Sequence, residues 1–372
     1  MAGDHKTSKP TSWAQWGNKI AAVSRPKHVT GTKIPVDIIG FGPIGRELSI
    51  KLAALSTRFN VVSIADSSGV LYPKDATQVL EVAKWKAQKK ENKLVEFPGA
   101  RVGAKGDLLQ GIQFSHSSIV VDVTNSDYKK HLEANTRANL ALNSGKHFVT
   151  ANKAGLAFHY WEILELARRK GLHVKFGATN ISARHAIAVA QTMEKDELTR
   201  VQALLNSATT VILSSLEENP SFSFEQAVEI AKRDGILEHD PSIDLDGWDA
   251  AAKTAILSNA VFPERKITIN DVSRTGIRDE KAKSLLEVAR NDPTKKYRVR
   301  EVSEITKEKA WVEPKMIEVL SPLAASGHSG VVILSSRVSG ETVIKSMFQS
   351  SGVELTSSIL LSEIKQIATV MG

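Results

Sequence analysis

The sequence predicts an α/β chain, with a doubly wound parallel sheet in its first half and a second unit of α+β character after it. Two observations carry this. Strand-like apolar runs alternate with helical stretches up to about residue 175, and beyond that point strand-like runs cluster without long helices between them.

Taken in order, "IPVDIIG" (34–40) is a short β-branched run ending in glycine, and "FGPIGRELSIKLAAL" (41–55) carries apolar residues at helical spacing. The pair reads as strand, glycine turn, helix. "NVVSIAD" (60–66), "SIVVDVT" (118–124) and "KHFVTAN" (146–152) repeat the buried-strand type. In the second half "ELTRVQALLNS" (197–207) reads as a long strand. "SFEQAVEIAKRDG" (223–235) reads as a helix with Ser223 as N-cap, Gln226 completing a capping box and Gly235 as its stop. "KKYRVREVSEI", "AWVEPKMIEVL" and "GVVILSSRVS" then suggest an antiparallel sheet, and "LTSSILLSEIKQIATVMG" is an amphipathic helix that returns to the first unit. The expected division is a basic, flexible tail (1–33), a dinucleotide-binding unit (34–175, rejoined by 341–372) and a second domain (176–340).

At 372 residues, 42% apolar and 24% charged, the chain has the composition of a globular protein with a large core. It lacks the run of about 18 apolar residues that a membrane-spanning helix needs. Cysteine is absent, which removes disulfides, thiolate metal sites and thiol nucleophiles and fits a cytoplasmic setting. Six bases against one acid in residues 1–33 supply +5 of the +8 net charge. That leader is expected to be a solvated tail, with an organelle-import peptide as the alternative. No interleaving of aromatic and basic residues supports nucleic-acid binding.

Gly40, Gly42 and Gly45, with Pro43 and Ile44 between them, make G-x-G-x-x-G between a predicted strand and a predicted helix. Such a turn brings backbone N–H groups and a helix N-terminus against a pyrophosphate, the dinucleotide site of Rossmann-type sheets. Asp66 ends the next strand, where an acid accepts ribose hydroxyls, and Ser67 follows it. No arginine adjoins Asp66, which favours NAD over NADP, although Lys74 lies within loop reach. Thr124 and Asn125, at the end of a further strand, complete the candidate cofactor contacts.

The most unusual stretch is "EHDPSIDLDGWDAAAK" (238–253), an acidic loop running into a helix. An EF-hand aligned on it places Lys253 where a bidentate glutamate is required, so calcium does not fit, and no other metal is assigned. Lys253 stands four residues after Asp249, on one helix face, where the carboxylate can hold or tune the ammonium. Asp240 and Asp246 suit loop turns and the helix start.

"GFGPIGREL", "ADSSG" (65–69), "FVTANKAGLA" (148–157) and above all "GILEHDPSIDLDGWDAAAKTAIL" (235–257) resemble the homoserine dehydrogenase family, as does "SSGVELTSSILLSEIKQIA" near the end. The resemblance is to the family's short form, so an appended regulatory domain or feedback site is not expected. The resemblance implies interconversion of L-homoserine and L-aspartate 4-semialdehyde with a nicotinamide cofactor, and a second domain that is catalytic and forms a homodimer. It implies that Glu238 and Asp244 bind the substrate's α-amino group. Lys253, Lys153 and Asp249 would stand at the reacting oxygen, Thr179 would be a further substrate contact, and a monovalent cation would sit on backbone oxygens nearby. The chemistry agrees: hydride transfer to a carbonyl leaves negative charge on oxygen, and an ammonium both stabilises that charge and supplies the proton.

The sequence also departs from the family. A glycine-rich turn with proline is replaced by "NISARHAIAVA" (180–190), and a Gly-Thr-Thr-Asn-type run by "SATTVIL" (207–213). Lost glycines imply a different turn or a narrower pocket. Arg184 or His185 facing the site would bind an extra anionic group, so a different hydroxy or carbonyl substrate is the alternative reading.

Overall fold

The computed structural model describes residues 32–89, 91–102, 105–193, 197–237, 240–350 and 352–371. The first half runs β1 (Ile34–Ile39), α1 (Pro43–Ala54), β2 (Phe59–Ala65), β3 (Gly69–Leu71), α2 (Ala76–Gln88), β4 (Arg101–Val102), α3 (Lys105–Phe114), β5 (Ile119–Asp122), α4 (His131–Asn143), β6 (His147–Thr150), α5 (Lys153–Lys170) and β7 (Val174–Lys175). The seven strands form one sheet in the order β4-β3-β2-β1-β5-β6-β7. β2, β1, β5, β6 and β7 are parallel, while the short β3 and β4 add an antiparallel edge. Helices cover both faces, which is why β5 and β6 are buried along their whole length.

The winding reverses between β1 and β5. Beyond the carboxyl ends of these two strands the loops leave in opposite directions, and the crevice between them is where sheets of this class bind ligands. Gly40 follows β1 and Thr124 follows β5, so both lie on that crevice.

The second half runs α6 (Arg184–Ala190), β8 (Leu198–Leu204), α7 (Ser207–Glu218), α8 (Phe224–Arg233), α9 (Ser242–Leu245), α10 (Trp248–Val261), β9 (Ser273–Arg274), α11 (Glu280–Asn291), β10 (Tyr297–Thr306), β11 (Ala310–Glu318), β12 (Ser329–Ser336), β13 (Gly340–Met347) and α12 (Gly352–Met371). Its sheet has the order β13-β12-β8-β10-β11-β9, antiparallel except for the pairing of β9 with β11. α8 starts on the capping box of Ser223 and Gln226, and Gly235 beyond it has φ +67°.

α10 is the best buried helix among the described residues. Eleven of its fourteen residues, from Asp249 to Ala260, are buried, and it packs into the same core as α5. A helix polar at one end and apolar nearly all round belongs inside, and this one links the two halves. α12 buries Ile359, Leu360, Ile364 and Ile367 in the core of the first sheet. Each such side chain contributes about 1.5–3 kcal/mol on burial. β13 pairs with β12, so the return to the first sheet begins at α12 rather than at residue 341.

Candidate active site

The glycine turn is shaped for close approach. Gly40 has φ +99°, and a Cβ there would lie 2.6 Å from the Val123 carbonyl carbon and 2.7 Å from the Thr124 nitrogen. A Cβ on Gly45 would collide with the Gly40 carbonyl, whereas around Gly42 there is open space. α1 begins at Pro43 without a side-chain cap and with no acidic residue in its first turn, so Ile44 and Gly45 open a helix whose N-terminal charge is not met from its own first turn. A pyrophosphate fits this cradle on both steric and electrostatic grounds.

The neighbouring loop is held by a buried network. Arg137 Nε pairs with Asp122 at 2.8 Å, and its Nη2 donates to Thr124 Oγ1 at 2.8 Å. Thr124 Oγ1 donates to Asp122 at 2.6 Å. Asn152 Nδ2 donates to Thr124 Oγ1 at 2.9 Å and to the Asn125 carbonyl at 3.0 Å, while its Oδ1 caps α5 by accepting from Ala154 N at 2.9 Å. The Thr124 hydroxyl is therefore committed inside the protein, and Asn125 is left exposed at the crevice. One side chain, Asn152, fixes both this loop and the start of the helix that carries Lys153. Sequence reasoning missed Arg137 and Asn152 as participants, although Asn152 stands in the quoted run before Lys153.

Asp66 lies at the end of β2 as expected, but its oxygens are occupied. Oδ1 accepts from Ser68 N at 2.8 Å, Ser68 Oγ at 2.6 Å and Gly69 N at 3.3 Å, and Oδ2 accepts from Lys86 Nζ and from Leu94 N at 3.2 Å. Burial raises its pKa, yet Lys86 and Ser68 outweigh that and hold it below the usual carboxylate range. Lys86, twenty residues away on α2, carried no signal in the sequence. Ser67 is exposed beside this cluster.

At the centre, Asp249 on α10 joins two lysines from two halves of the chain. Lys253 Nζ lies 2.7 Å from Oδ2, one turn along α10, and Lys153 Nζ lies 3.0 Å from Oδ1 at the start of α5. Asp249 is only 2% exposed. Burial alone raises its pKa, but the charges and hydrogen bonds of Lys153 and Lys253 overcome this and lower it to about 2. Lys253 Nζ also donates to the Leu205 carbonyl at 2.9 Å, which directs it toward the end of β8. Asp249 thus contacts Lys253 and Lys153 through different oxygens.

Asp244 on α9 is buried and accepts from Asn206 Nδ2 at 2.9 Å. Asn206 in turn caps α7 through Ala208 N at 2.9 Å and Thr209 N at 3.3 Å. Glu238 lies outside the described residues. Asp240 accepts from Ser242 N at 2.9 Å, and Asp246 pairs with Arg278 at 2.6 Å, so both serve the loop.

The altered walls are filled from inside. Thr210 donates its hydroxyl to the Asn206 carbonyl at 3.0 Å, and the Thr209 hydroxyl oxygen lies 3.1 Å from the same carbonyl. Ser182 and Ala183 are buried, with Ser182 packed against Gly330 of β12. Asn180 Nδ2 donates to the Lys253 carbonyl at 3.0 Å, and Thr179 Oγ1 donates to the Phe176 carbonyl at 2.7 Å. His185 is exposed, and Arg184 lies against the turn that Glu363 holds. Glu363 of α12 accepts from Gly177 N at 2.6 Å, and burial pushes its pKa up to about 7 despite that bond and nearby Lys175 and Arg184. Neither Asn180 nor Glu363 was anticipated.

The family model described as "Homoserine dehydrogenase, NAD binding domain" matches residues 40–177, and that described as "Homoserine dehydrogenase" matches 186–364. Homoserine dehydrogenase of Methanocaldococcus jannaschii is 30% identical over 338 residues, covering 89% of this chain and 97% of that protein. An NAD(+)-dependent homoserine dehydrogenase of Pseudomonas canavaninivorans is 27% identical over 354 residues, covering 90% of this chain and 96% of its own. Among solved structures, a hyperthermophilic archaeal homoserine dehydrogenase in complex with NADPH superposes with a TM-score of 0.73 at 26% identity, over 91% of this chain and 98% of that one. Two models that together span nearly all of the chain beyond its leader, and a full-length relative at this identity, place it in the homoserine dehydrogenase family of NAD(P)-dependent oxidoreductases acting on a CH–OH group.

Proposed function

We propose that this chain interconverts L-homoserine and L-aspartate 4-semialdehyde. The observation that carries the proposal is the Lys153–Asp249–Lys253 cluster, in which one buried carboxylate holds two ammonium groups drawn from the two halves of the chain. Bound in the glycine cradle, a nicotinamide dinucleotide supplies or accepts the hydride. Lys253 and Lys153 polarise the substrate oxygen and move its proton, stabilising charge as it develops there. Asp249 keeps both amines in place and is itself too acidic to take their protons near neutrality. Asp244 and Glu238 hold the substrate's ammonium, and Thr179 closes that side.

For the cofactor, Gly40, Gly42, Pro43, Ile44 and Gly45 receive the pyrophosphate, Asp66 and Ser67 face the adenosine ribose, and Thr124 and Asn125 the far half. NAD is the favoured cofactor. Among the described residues Lys86 is the cation in contact with Asp66 at the end of β2, and its charge is balanced by that carboxylate. A 2′-phosphate would meet a neutral pair rather than a free base. Backbone oxygens near the 177–183 turn remain the place for a monovalent cation. We further propose a cytoplasmic homodimer without nucleic-acid or membrane partners; no described helix is long and apolar enough to cross a membrane.

The second reading, a different hydroxy or carbonyl substrate, is favoured by one observation: Ser182, Ala183 and Arg184 occupy a turn that is glycine-rich in the family. A single assay decides between the two. Purified protein is given NAD or NADP with L-homoserine, then with a panel of small alcohols. Turnover of L-homoserine supports the main reading, and turnover confined to other alcohols overturns it.

A further inference from the structure

Glu301 is a carboxyl group in an unusual place. It sits in the middle of β10, 4% exposed, between strands of the second sheet. Its Oε2 accepts a hydrogen bond from Thr209 Oγ1 at 2.9 Å, while its buried Oε1 has no hydrogen-bond partner among the described residues. Thr209 N donates to Asn206 Oδ1 at 3.3 Å, and Asn206 Nδ2 donates to Asp244 at 2.9 Å. A chain of three hydrogen bonds thus runs from Glu301 to the carboxylate placed at the substrate's amine. Oε1 points toward the turn between α9 and α10, where a Cβ on Gly247 would lie 3.5 Å from it. That turn also separates Asp244 from Asp249.

We propose that Glu301 is a third acid of the ammonium subsite beside Asp244 and Glu238, a positioning residue that gives up its proton when a cationic amine docks against Asp244. The inference rests on the assignment of Asp244 to the substrate's amine.

Electrostatics on each side of Glu301 point the same way. Asp244 on α9 and Asp249 on α10 both disfavour a further negative charge, and Lys253 on α10 favours it but is paired with Asp249. Thr209 on α7 offers a hydroxyl, and Arg274 on β9 packs against the same turn with its guanidinium over the Trp248 ring and under the influence of Asp246. Burial is the largest influence, and together with the two aspartates it raises the pKa to about 8 against the Thr209 bond and Lys253. An arriving ammonium brings a positive charge into a site of low dielectric, where it favours the carboxylate form. Binding and ionisation then help one another. The proton leaves to solvent, and the substrate's own amine stays charged.

The linkage has a sign that can be measured. A group that loses a proton on binding makes binding tighter as pH rises through its pKa. The dissociation constant of L-homoserine for the cofactor-loaded protein is expected to fall by about five- to tenfold between about pH 6.5 and pH 9. Glu301→Gln, which keeps the Thr209 bond but cannot ionise, is expected to flatten that change to within about twofold. A purely structural side chain would move thermal stability and leave the pH dependence of binding in place. Calorimetric titration of the unsubstituted protein in two buffers of different ionisation enthalpy needs no variant. Proton release on L-homoserine binding near pH 7.5 supports the proposal. No release, or a Glu301→Gln protein with the original pH dependence, overturns it. Failure of L-homoserine to bind or turn over at all would instead overturn the assignment on which it rests.

Discussion

Replacing Asp249 by asparagine removes one charge and almost no volume, which makes it the sharpest test of the two-lysine site. In the protein as it stands, Lys253 and Lys153 sit on different oxygens of one carboxylate, at 2.7 and 3.0 Å. That arrangement puts the two ammonium nitrogens about 5 Å apart, and at an effective dielectric of about 20 their mutual repulsion is about 3 kcal/mol once the carboxylate is gone. The protein can relieve it in two ways. One amine gives up its proton near neutrality, or one side chain swings out of the site. Either removes a donor from the reacting oxygen. A loss of about 3 kcal/mol of transition-state stabilisation is a fall of roughly two orders of magnitude in kcat. The initial rate of NAD(P)H formation at saturating L-homoserine, measured across a pH series, is the assay. Losing a proton from one amine also shifts the pH profile, which simple loosening of the helix would not do. Asp249→Glu is expected to recover part of the rate. Breaking a buried ion pair costs about 3–5 kcal/mol of stability, so the variant's folding must be checked by circular dichroism. A folded Asp249→Asn protein within about threefold of the original kcat and with an unchanged pH profile would refute the reasoning.

Three further outcomes are expected. Asp66→Ala frees Lys86 from its partner, and the ratio of kcat/KM for NADP to that for NAD should rise by about tenfold or more, read from rates with each cofactor; an unchanged ratio would place neither residue at the ribose. Gly45→Ala drives a Cβ into the Gly40 carbonyl and should abolish cofactor binding in a fluorescence titration while leaving α10 and its lysines untouched. Glu363 has a pKa raised from the usual carboxylate value to about 7, so the folded protein keeps a proton between about pH 4.5 and 7 that the unfolded chain has lost. Its contribution is therefore full at low pH and declines as pH rises through that window, by about 3 kcal/mol in all. Urea titrations of Glu363→Gln should lack this decline, and a parallel fall in both proteins would assign it elsewhere.

What the sequence determined by itself was whatever depends on short spacing. Gly40, Gly42 and Gly45 lie within six residues, so strand, turn and helix declare their own purpose. Asp249 and Lys253 share a helix face because four residues make one turn, and the capping box at Ser223 is likewise local. The long acidic motif made the family resemblance legible for the same reason. What only the tertiary structure decided involves partners far apart in the chain. Lys153 reaches Asp249 across 96 residues because α10 is buried against α5. Lys86 comes from α2 to pair with Asp66 at the end of β2, and Asn152 ties the Thr124 loop to the start of α5. Glu301 reads in the sequence as one more charge in a strand. It becomes a buried acid facing two aspartates only when β10 is laid under α7, α9 and α10, because burial and the field of neighbouring charges are properties of the packed molecule and not of any segment.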